Sequence, residues 1–258
     1  MLSGKVAIVT GGGRGIGRVA ALALARRGAA VAIASRTARE LNETAAAITS
    51  AGGRALAVAT DVADEASVNR LVARAMDAFG AVDILATCAG INGPIDWIDN
   101  VTLAGWEQTL RVNLTGAFLA CRAVLPIMRR QRRGKIINVA SGNATRVQPA
   151  LAAYSASKAA VVHFTRVLAE EARDDGIQAF ALHPGVIRSA IVDELLAQPA
   201  SGATANLAAR LRSIALQEPE YSAPLFVYLA SDAANDLSGQ FVIHDDPLLR
   251  ARMQAVGL

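Results

Sequence analysis

Cysteine and histidine are scarce in this sequence, and neither is clustered. The chain of 258 residues contains two cysteines and three histidines. Cys88 and Cys121 lack CxxC spacing, which excludes a disulfide framework and favours a reducing compartment. We therefore expect a cytoplasmic protein without a metal site. Nothing beside Cys88 in the sequence would lower the pKa of its thiol, so we interpret it as a buried apolar residue rather than a nucleophile.

Long hydrophobic runs are also absent. No stretch approaches the 18 or more consecutive apolar residues that a membrane-spanning helix needs, and the early run KVAIVT ends at GGGRG. We expect neither a membrane partner nor a signal peptide. The net charge is +4, and the densest basic run is RRQRRGK at 129–135. We interpret this run as a solvated helix end, and we expect no nucleic-acid partner.

Apolar residues, by contrast, are abundant and regularly placed. They make up 53% of the chain, against 19% charged residues, which is enough for a buried core. Short, nearly all-apolar runs alternate with helical segments, which is typical of a parallel sheet covered on both faces. The runs lie at residues 5–10, 30–35, 54–59, 82–87, 134–140, 177–182 and 240–244. This pattern predicts an α/β fold with a doubly wound parallel sheet of about seven strands, in a single domain over residues 1–258.

Glycine is concentrated in the first strand-to-helix turn, VTGGGRGIG at 9–17. Gly11, Gly15 and Gly17 would let the backbone turn tightly and approach a pyrophosphate, whose charge the N–H groups of the following helix would meet. A glycine string alone is weak evidence, but this is the position that a dinucleotide site requires. The predicted sheet is therefore of the Rossmann type.

Four motifs taken together resemble the short-chain dehydrogenase/reductase family, over about residues 3–243. They are TGxxxGxG at 10–17, Ser141, YxxxK at 154–158 and Pro184-Gly185. The resemblance implies hydride transfer between a nicotinamide cofactor and a carbonyl or secondary alcohol. It also implies a homo-dimer or homo-tetramer, assembled through the long helices around 104–130 and 154–173.

The resemblance assigns the chemistry to four residues. Tyr154 would exchange a proton with the substrate, and Lys158, one helical turn later, would favour its phenolate and bind the nicotinamide ribose. Ser141 would orient the carbonyl oxygen, and Asn113, at a helix distortion, would hold a relay water. The alternative from another class is a catalytically idle NADP-binding regulatory protein, which needs to keep only the glycine loop.

The end of the second predicted strand bears on the choice of cofactor. An acidic residue there favours NAD in the family, whereas Ser35 and Arg36 offer no such acceptor, and Arg36 and Arg14 can face a 2′-phosphate. We therefore predict NADP(H) rather than NAD(H), the other interpretation of Arg36 being an ordinary solvated arginine. Asp61 can also be interpreted as the cap of the next helix. The remaining cofactor contacts implied by the resemblance are Ile16, Asp61, Val62, Ala89, Gly90, Tyr154, Lys158, Pro184, Gly185, Ile187 and Ser189.

The chain departs from the family pattern at two places. Thr87 and Cys88 stand where the family usually has two asparagines, so the hydrogen bonds of an asparagine amide at position 88 to neighbouring strands should be lost. After the last predicted strand, His244, Asp245 and Asp246 replace a usual glycine pair. Adjacent side chains cannot all point at one ion, so we expect a turn there rather than a metal site.

The substrate-binding elements are expected in two loops. Between Ser141 and Tyr154 the candidates are Asn143, Val147 and Gln148, and residues 189–218 read as a substrate loop or lid. Leucines in that excursion suggest a partly apolar ketone, sugar derivative or acyl chain as the small-molecule substrate. These leucines are Leu195, Leu196 and Leu207. Arg188 could attract a carboxylate, and it can equally be interpreted as an ordinary surface charge. The nearest enzymatic alternative is a β-ketoacyl carrier-protein reductase, whose basic run would contact an acidic carrier protein.

Overall fold

One seven-stranded sheet organises the computed structural model, which describes residues 2–197 and 202–258. The strands are β1 (Val6–Thr10), β2 (Ala30–Ser35), β3 (Arg54–Ala59), β4 (Ile84–Thr87), β5 (Gly134–Val139), β6 (Ile177–His183) and β7 (Phe241–Ile243). Their order in the sheet is β3-β2-β1-β4-β5-β6-β7, and every neighbouring pair is parallel. The prediction of a doubly wound parallel sheet is confirmed, with strand ends within about two residues of those expected.

Ten α-helices accompany these strands within the described residues. They are α1 (Gly15–Arg26), α2 (Ala38–Ser50), α3 (Glu65–Phe79), α4 (Leu103–Leu110), α5 (Gly116–Gln131), α6 (Ala152–Glu171), α7 (Ala190–Ala197), α8 (Ala205–Ser213), α9 (Ala223–Leu229) and α10 (Pro247–Ala255). The two short helices α7 and α8 lie in the excursion expected at 189–218. Residues 198–201 of that excursion lie outside the described residues.

Alternate residues of the central strands enter two separate apolar clusters. In β1, Ala7 and Val9 join the cluster that also contains buried residues of α1, α2, α9 and α10. Ile8 points the other way, into the cluster formed with α3, α5 and α6. Because both faces of the sheet are covered, every β1 side chain is buried, which explains the continuous apolar runs of the sequence.

α4 and α5 form one helical run that is interrupted by a π-helical turn at Arg111–Thr115. By length and composition alone, the run Leu103–Gln131 is apolar enough to cross a membrane, but 50% of its most apolar window is buried inside the protein. Gly116 permits a close approach to the neighbouring loop, since a Cβ there would lie 2.9 Å from Val62 Cγ2. The run is therefore part of the helical layer over the sheet.

The strand order reverses between β1 and β4, because β1 has β2 on one side and β4 on the other. Ligands of open α/β sheets bind outside the carboxyl ends of the strands at such a reversal. Thr10 and Thr87 end the two strands at this point, and Ser141 and His183 stand at the ends of β5 and β6. The fold thus brings residues from four segments to one edge.

Thr87, at the position of the first family asparagine, starts a buried chain of hydrogen bonds. Its Oγ1 donates to Asn138 Oδ1 at 2.8 Å, and Asn138 Nδ2 donates to Thr165 Oγ1 at 3.0 Å. These bonds join β4, β5 and α6. The link between neighbouring strands that we expected to be lost at Cys88 is therefore made by the residue before it.

The segment after β7 is a turn followed by α10, as expected. The Oδ1 atom of Asp246 accepts the N–H of Leu248 at 2.9 Å and caps the helix. His244 is buried, with its ring centroid 4.1 Å from that of Tyr221, and Asp245 accepts the hydroxyl of Tyr221 at 2.8 Å. The three side chains have separate roles. Among residues 2–197 and 202–258, no group of three His, Cys, Asp or Glu is arranged for a metal ion.

The basic run that ends α5 is paired with carboxylates of the same chain. Arg129 and Arg132 contact Asp175 at 3.0 and 2.9 Å, and Arg133 contacts Asp83 at 2.7 Å. Pairs on the surface contribute little to stability, but the carboxylate of Asp83 is buried. Arg129 and Arg132 share one carboxylate, so the two aspartates compensate only part of the positive charge of the run.

We expect Asn138→Ala to lower the free energy of unfolding by about 2 kcal/mol, because the buried hydroxyls of Thr87 and Thr165 lose this partner. Urea unfolding followed by circular dichroism measures the change. Asn69→Ala, on an exposed position of α3, is the matched control and should change the free energy by less than about 0.5 kcal/mol. Equal effects of the two substitutions would contradict a structural role for the buried chain.

Candidate active site

The glycine-rich loop brings the end of β1 against the end of β4. Gly11 has φ of 67°, and a Cβ there would lie 2.8 Å from the backbone nitrogen of Ala89. A Cβ on Gly17 would collide with the carbonyl oxygen of Gly11. Around Gly15, beyond its chain neighbours and its own helix, no described atom lies within 4 Å of an added Cβ. The uncapped N-terminus of α1 thus faces open space, which fits the pyrophosphate of a dinucleotide.

Two adjoining clefts lie at this edge of the sheet. The first cleft is lined by the glycine-rich loop and the ends of β2 and β3, and the second cleft is lined by Ser141, Tyr154 and Lys158. The first cleft carries charge of both signs. Arg14, Ser35 and Arg36 line it as expected, together with Ile16, and the described residues provide no ion-pair partner for either arginine. Glu40, which the sequence patterns do not single out, also lines the cleft. A Cβ on Gly13 would lie 2.9 Å from the Cβ of Glu40 and 3.0 Å from Ser35 Oγ. A carboxylate therefore lines the same cleft as the two arginines.

Asp61 and Val62 line the first cleft beyond β3. The Oδ1 atom of Asp61 accepts the N–H of Ala63 at 2.9 Å. The cap of α3 is Asp64, whose two carboxylate oxygens accept N–H groups of the first helical turn. The interpretation of Asp61 as the helix cap is therefore wrong, because a second aspartate closer to the helix takes that role.

Ala89 and Gly90 follow β4 in the chain. Ala89 lines the first cleft, and Gly90 lines both clefts. A Cβ on Gly90 would lie 3.3 Å from Asn113 Oδ1 and 3.6 Å from Lys158 Nζ, so a small residue is required there. Cys88 lines both clefts. Burial raises the pKa of its thiol to about 12, against a smaller opposing effect of Lys158. The thiol is protonated at neutral pH, in line with an unreactive residue, but the expectation of a buried side chain is wrong because Cys88 is only partly buried.

Ser141 and Tyr154 meet in the second cleft. Ser141 starts the short 3-10 turn Gly142–Ala144, where its Oγ accepts the N–H of Asn143 at 3.2 Å. Tyr154 lies in the first turn of α6. Burial raises the pKa of Tyr154, and a hydrogen bond with the Ser141 side chain partly opposes that change. In the absence of a cofactor, the phenol is therefore held in its protonated form.

Lys158 lies one turn further along α6 and is only 5% exposed. Its Nζ donates to the carbonyl oxygen of Val139 at 2.8 Å and lies 5.8 Å from the ring centroid of Tyr154. Burial lowers the pKa of Lys158 to about 8. Lys158 is therefore charged at neutral pH and becomes neutral in mildly alkaline solution. Only its charged form could stabilise a phenolate at Tyr154.

Asn113 lies within the π-helical turn, where a helix distortion was expected, and it is 2% exposed. Its Oδ1 accepts the N–H of Ile91, and its Nδ2 donates to the carbonyl of Ile91, both at 2.9 Å. Nδ2 also donates to Ser157 Oγ at 3.0 Å, and that hydroxyl donates to the carbonyl of Tyr154 at 2.6 Å. Both amide N–H groups are engaged. Asn113 therefore connects the loop after β4 to the first turns of α6, and its relay water stays a prediction.

The turn after β6 contributes the opposite wall. Pro184, Gly185 and Ile187 line the second cleft, and Ser189 lines both clefts. Gly185 has φ of 98°, a conformation that other residues rarely adopt. Ser189 Oγ accepts the N–H of Val192 at 3.4 Å, in the first turn of α7. The structure therefore brings all four expected residues to the site.

Two of the three predicted substrate residues line the second cleft. Asn143 and Gln148 do so, but Val147 does not, because its side chain points to solvent and is 90% exposed. Among the leucines of the excursion, Leu195 and Leu207 line the cleft and pack in a buried cluster with Leu151 and Tyr154. Leu196 is not among the lining residues. The cleft therefore has one apolar wall.

Four polar lining residues were not predicted: Asn92, Arg146, His183 and Arg210. Arg146 Nη2 lies 3.2 Å from His183 Nε2, and Arg210 Nη1 donates to Gln148 Oε1 at 3.1 Å. Burial, together with Arg146, lowers the pKa of His183 to about 4. Arg146 could have been proposed from its position in the loop after Ser141. No sequence signal marks Arg210, because its place depends on how α8 lies across the cleft.

Arg188, proposed from the sequence as a carboxylate-binding residue, is exposed and pairs with Glu218 at 3.1 Å. It is not among the residues that line either cleft. Its charge is compensated on the surface, so the positive charge of the substrate cleft comes from other residues.

Comparison with known proteins identifies the family of this chain. The family model described as short chain dehydrogenase matches residues 5–200. This chain therefore belongs to the short-chain dehydrogenase/reductase family. The chain is an oxidoreductase acting on alcohol or carbonyl groups, and proteins of this family bind nicotinamide cofactors.

Several relatives are similar over nearly their whole length. The short-chain reductase protein NovJ of Streptomyces niveus is 37% identical, covering 92% of this chain and 91% of its own. A 3-oxoacyl-[acyl-carrier-protein] reductase of Synechocystis is 35% identical, covering 93% and 94%. The cis-4-hydroxycyclohexanecarboxylate dehydrogenase of Sinomonas cyclohexanicum is 38% identical, covering 93% and 95%.

Solved structures agree with the fold. Levodione reductase superposes with a TM-score of 0.89 at 30% identity, covering 97% of this chain and 100% of its own. NAD+-bound xylitol dehydrogenase superposes with a TM-score of 0.86 at 25% identity, covering 94% and 98%. The NAD+ of the second structure is a property of that protein.

We expect the phenol of Tyr154 in the cofactor-free protein to titrate at a higher pH than an ordinary tyrosine, because burial favours its neutral form. Ultraviolet absorbance of phenolate, recorded against pH for wild type and for Tyr154→Phe, gives the titration of this residue by difference. Tyr221 and Tyr228 are present in both proteins and cancel. A difference titration centred below about pH 9 would contradict the dominance of burial.

Proposed function

We propose that this chain is an NADP(H)-dependent reductase that interconverts a small-molecule ketone and the corresponding secondary alcohol. The observation that carries the proposal is the meeting of Ser141, Tyr154 and Lys158 in a cleft that adjoins the glycine-rich loop. The two clefts share Ile16, Cys88, Gly90 and Ser189 as lining residues. Such continuity is what hydride transfer between a bound cofactor and a bound substrate requires.

In this proposal each side chain has a defined task. The nicotinamide, when bound, supplies or accepts the hydride. Ser141 orients the substrate oxygen, and Tyr154 donates a proton to it in reduction and removes one in oxidation. Lys158, fixed by the carbonyl of Val139, provides the positive charge that the buried phenolate needs. General acid–base assistance of this kind contributes about 10²–10⁴-fold.

We assign cofactor binding to residues of the first cleft and to those residues of the second cleft that would surround the nicotinamide. NADP(H) is favoured by Arg14 and Arg36, because both are available for a 2′-phosphate. Glu40 opposes this preference by its negative charge. The full set is Gly11, Arg14, Gly15, Ile16, Gly17, Ser35, Arg36, Asp61, Val62, Ala89, Gly90, Tyr154, Lys158, Pro184, Gly185, Ile187 and Ser189.

A carrier-protein reductase is the second candidate, supported by the similarity to the Synechocystis enzyme. Against it, Arg129, Arg132 and Arg133 are paired with carboxylates of the same chain and are not free for an acidic carrier. Turnover of carrier-bound ketones without turnover of free ones would favour this candidate.

A ketone panel with NADPH also separates the enzyme from an idle cofactor-binding protein. The panel includes 4-oxocyclohexanecarboxylate, because the Sinomonas relative is named for the corresponding alcohol. We expect at least one free ketone to be reduced. Binding of NADPH without turnover of any free or carrier-bound ketone would favour the idle protein.

We also propose a domain organisation, a cellular location and an assembly for the enzyme. We propose a single cytoplasmic domain that forms a homo-dimer or homo-tetramer, in which the described parts of residues 189–218 act as the substrate loop. Burial of Leu195 and Leu207 beside Tyr154 supports this role of the loop. Light scattering measures the assembly.

Tyr154→Phe is expected to abolish turnover and to leave NADPH binding within a few fold of wild type, because only the proton donor is removed. Activity on the best ketone of the panel and fluorescence titration of NADPH measure the two effects. Tyr228→Phe is the control, since its hydroxyl bonds the carbonyl of Ala233 away from both clefts. Near-normal turnover in Tyr154→Phe would refute the assignment.

Arg36→Leu is expected to reduce kcat/KM for NADPH by about ten- to a hundredfold, through loss of a charged hydrogen bond to phosphate, with little effect for NADH. Glu40→Gln should change the preference in the opposite direction, because it removes a negative charge. Arg39→Leu is the matched control, as Arg39 is exposed and pairs with Glu43. Comparable efficiency of the wild type with both cofactors, or a preference for NADH, would contradict the assignment.

A further inference from the structure

The substrate cleft has more positive charge than hydride and proton transfer require. Besides Lys158, its lining includes Arg146 and Arg210, which lie on different segments of the chain. Arg146 belongs to the loop after Ser141, and Arg210 belongs to α8. Neither arginine lines the cofactor cleft. Their charge therefore acts on the substrate side of the site.

No carboxylate compensates these two arginines. Within residues 2–197 and 202–258, neither forms an ion pair, and the lining residues of the substrate cleft include no Asp or Glu. Some arginines outside the clefts are paired with carboxylates. Arg188, for example, pairs with Glu218, and Arg39 pairs with Glu43. The two arginines of the cleft are thus available for an anion from outside.

Neutral groups hold the two guanidinium groups at the cleft. Arg146 lies against Gly142, where an added Cβ would collide with it, and it contacts His183 Nε2 at 3.2 Å. Arg210 donates to Gln148 Oε1 at 3.1 Å. A guanidinium has five N–H donors, so each keeps donors for a ligand after these contacts. Because burial and Arg146 lower the pKa of His183 to about 4, the imidazole accepts without changing the charge at neutral pH.

An apolar wall lines the same cleft as these charges. Leu151, Leu195 and Leu207 are buried together beside Tyr154. Arg146 and Arg210 themselves are exposed to solvent at the cleft. A ligand with an apolar body and one anionic end satisfies both sides of the cleft.

We propose that Arg146 and Arg210 form a carboxylate-binding subsite, and that the substrate is a small ketone or secondary alcohol with an apolar frame and a carboxylate remote from the reacting carbon. This inference rests on the proposed function for the reaction itself. The site of the anion does not depend on turnover, because it is defined by the two arginines alone.

The substrate test compares an acid with its uncharged isostere. With 4-oxocyclohexanecarboxylate and 4-oxocyclohexanecarboxamide as substrates, we expect the wild type to prefer the acid in kcat/KM by at least tenfold. A bidentate or charged hydrogen bond to carboxylate accounts for about ten- to a hundredfold. Equal kcat/KM for the two substrates would overturn the inference and leave the proposed reductase intact.

The variants are Arg146→Met, Arg210→Met and the double substitution. Each single change should lower kcat/KM for the acid by about tenfold or more, with the amide within about threefold of wild type. Arg212→Met is the matched control, since Arg212 is exposed on the same helix and does not line the cleft. Parallel losses for acid and amide would show that the arginines only maintain the shape of the loop, which would overturn their role in binding.

A binding measurement separates the two proposals. Calorimetric titration with cyclohexanecarboxylate, which has no reactive carbonyl, should show saturable binding to the wild type and to Arg212→Met, and at least tenfold weaker binding to the double variant. Such binding without turnover of any ketone would refute the proposed function and support the anion subsite. Absence of binding to the wild type, or equal binding to the double variant, would overturn the subsite.

Discussion

The contact between the glycine-rich loop and the end of β4 is the constraint on which both clefts depend. Gly11 and Gly17 have no room for a Cβ, because the backbone of Ala89 and the carbonyl oxygen of Gly11 occupy that space. The contact holds the N-terminus of α1 at the point where the strand order reverses, and it leaves open space at Gly15. A larger residue would separate β1 from β4, and the cofactor cleft would then no longer adjoin the cleft of Tyr154.

Burial sets the acid–base character of the site once this geometry is in place. It raises the pKa of Tyr154 and lowers the pKa of Lys158 to about 8, so both groups are shifted towards their neutral forms. The ordinary pKa values of a phenol and an ammonium are both near 10, but here they are driven apart, and the phenol is the group that keeps its proton. Ser141 opposes the shift of the phenol through a hydrogen bond. Without a cofactor, Tyr154 is therefore protonated in its cleft.

Within residues 2–197 and 202–258, the arginines that line the two clefts have no carboxylate partner, whereas some arginines elsewhere on the surface do. On the surface, arginines such as Arg129, Arg132 and Arg133 are matched by nearby carboxylates. In the clefts, Arg14, Arg36, Arg146 and Arg210 have no such partners among the described residues. One ligand with a negative charge at each end, or two ligands with one negative charge each, could pair with these four arginines. Glu40 is the exception to this positive charge. Its carboxylate lines the first cleft and weakens the attraction of that cleft for an anion.

The sequence by itself determined the sheet, the glycine loop and the spacing of Tyr154 and Lys158. Strands buried on both faces must be apolar throughout, and Tyr154 and Lys158 lie four residues apart on one helix, so local patterns were sufficient. The tertiary structure decided the features that depend on residues distant in the sequence. Arg210 contacts Gln148 across 62 positions and Thr87 contacts Asn138 across 51, while Val147 turns away from the cleft and Asp64 replaces Asp61 as the helix cap. No local pattern specifies which way a loop or a helix crosses the edge of a sheet, because that orientation is set by packing between segments that meet only in the folded chain.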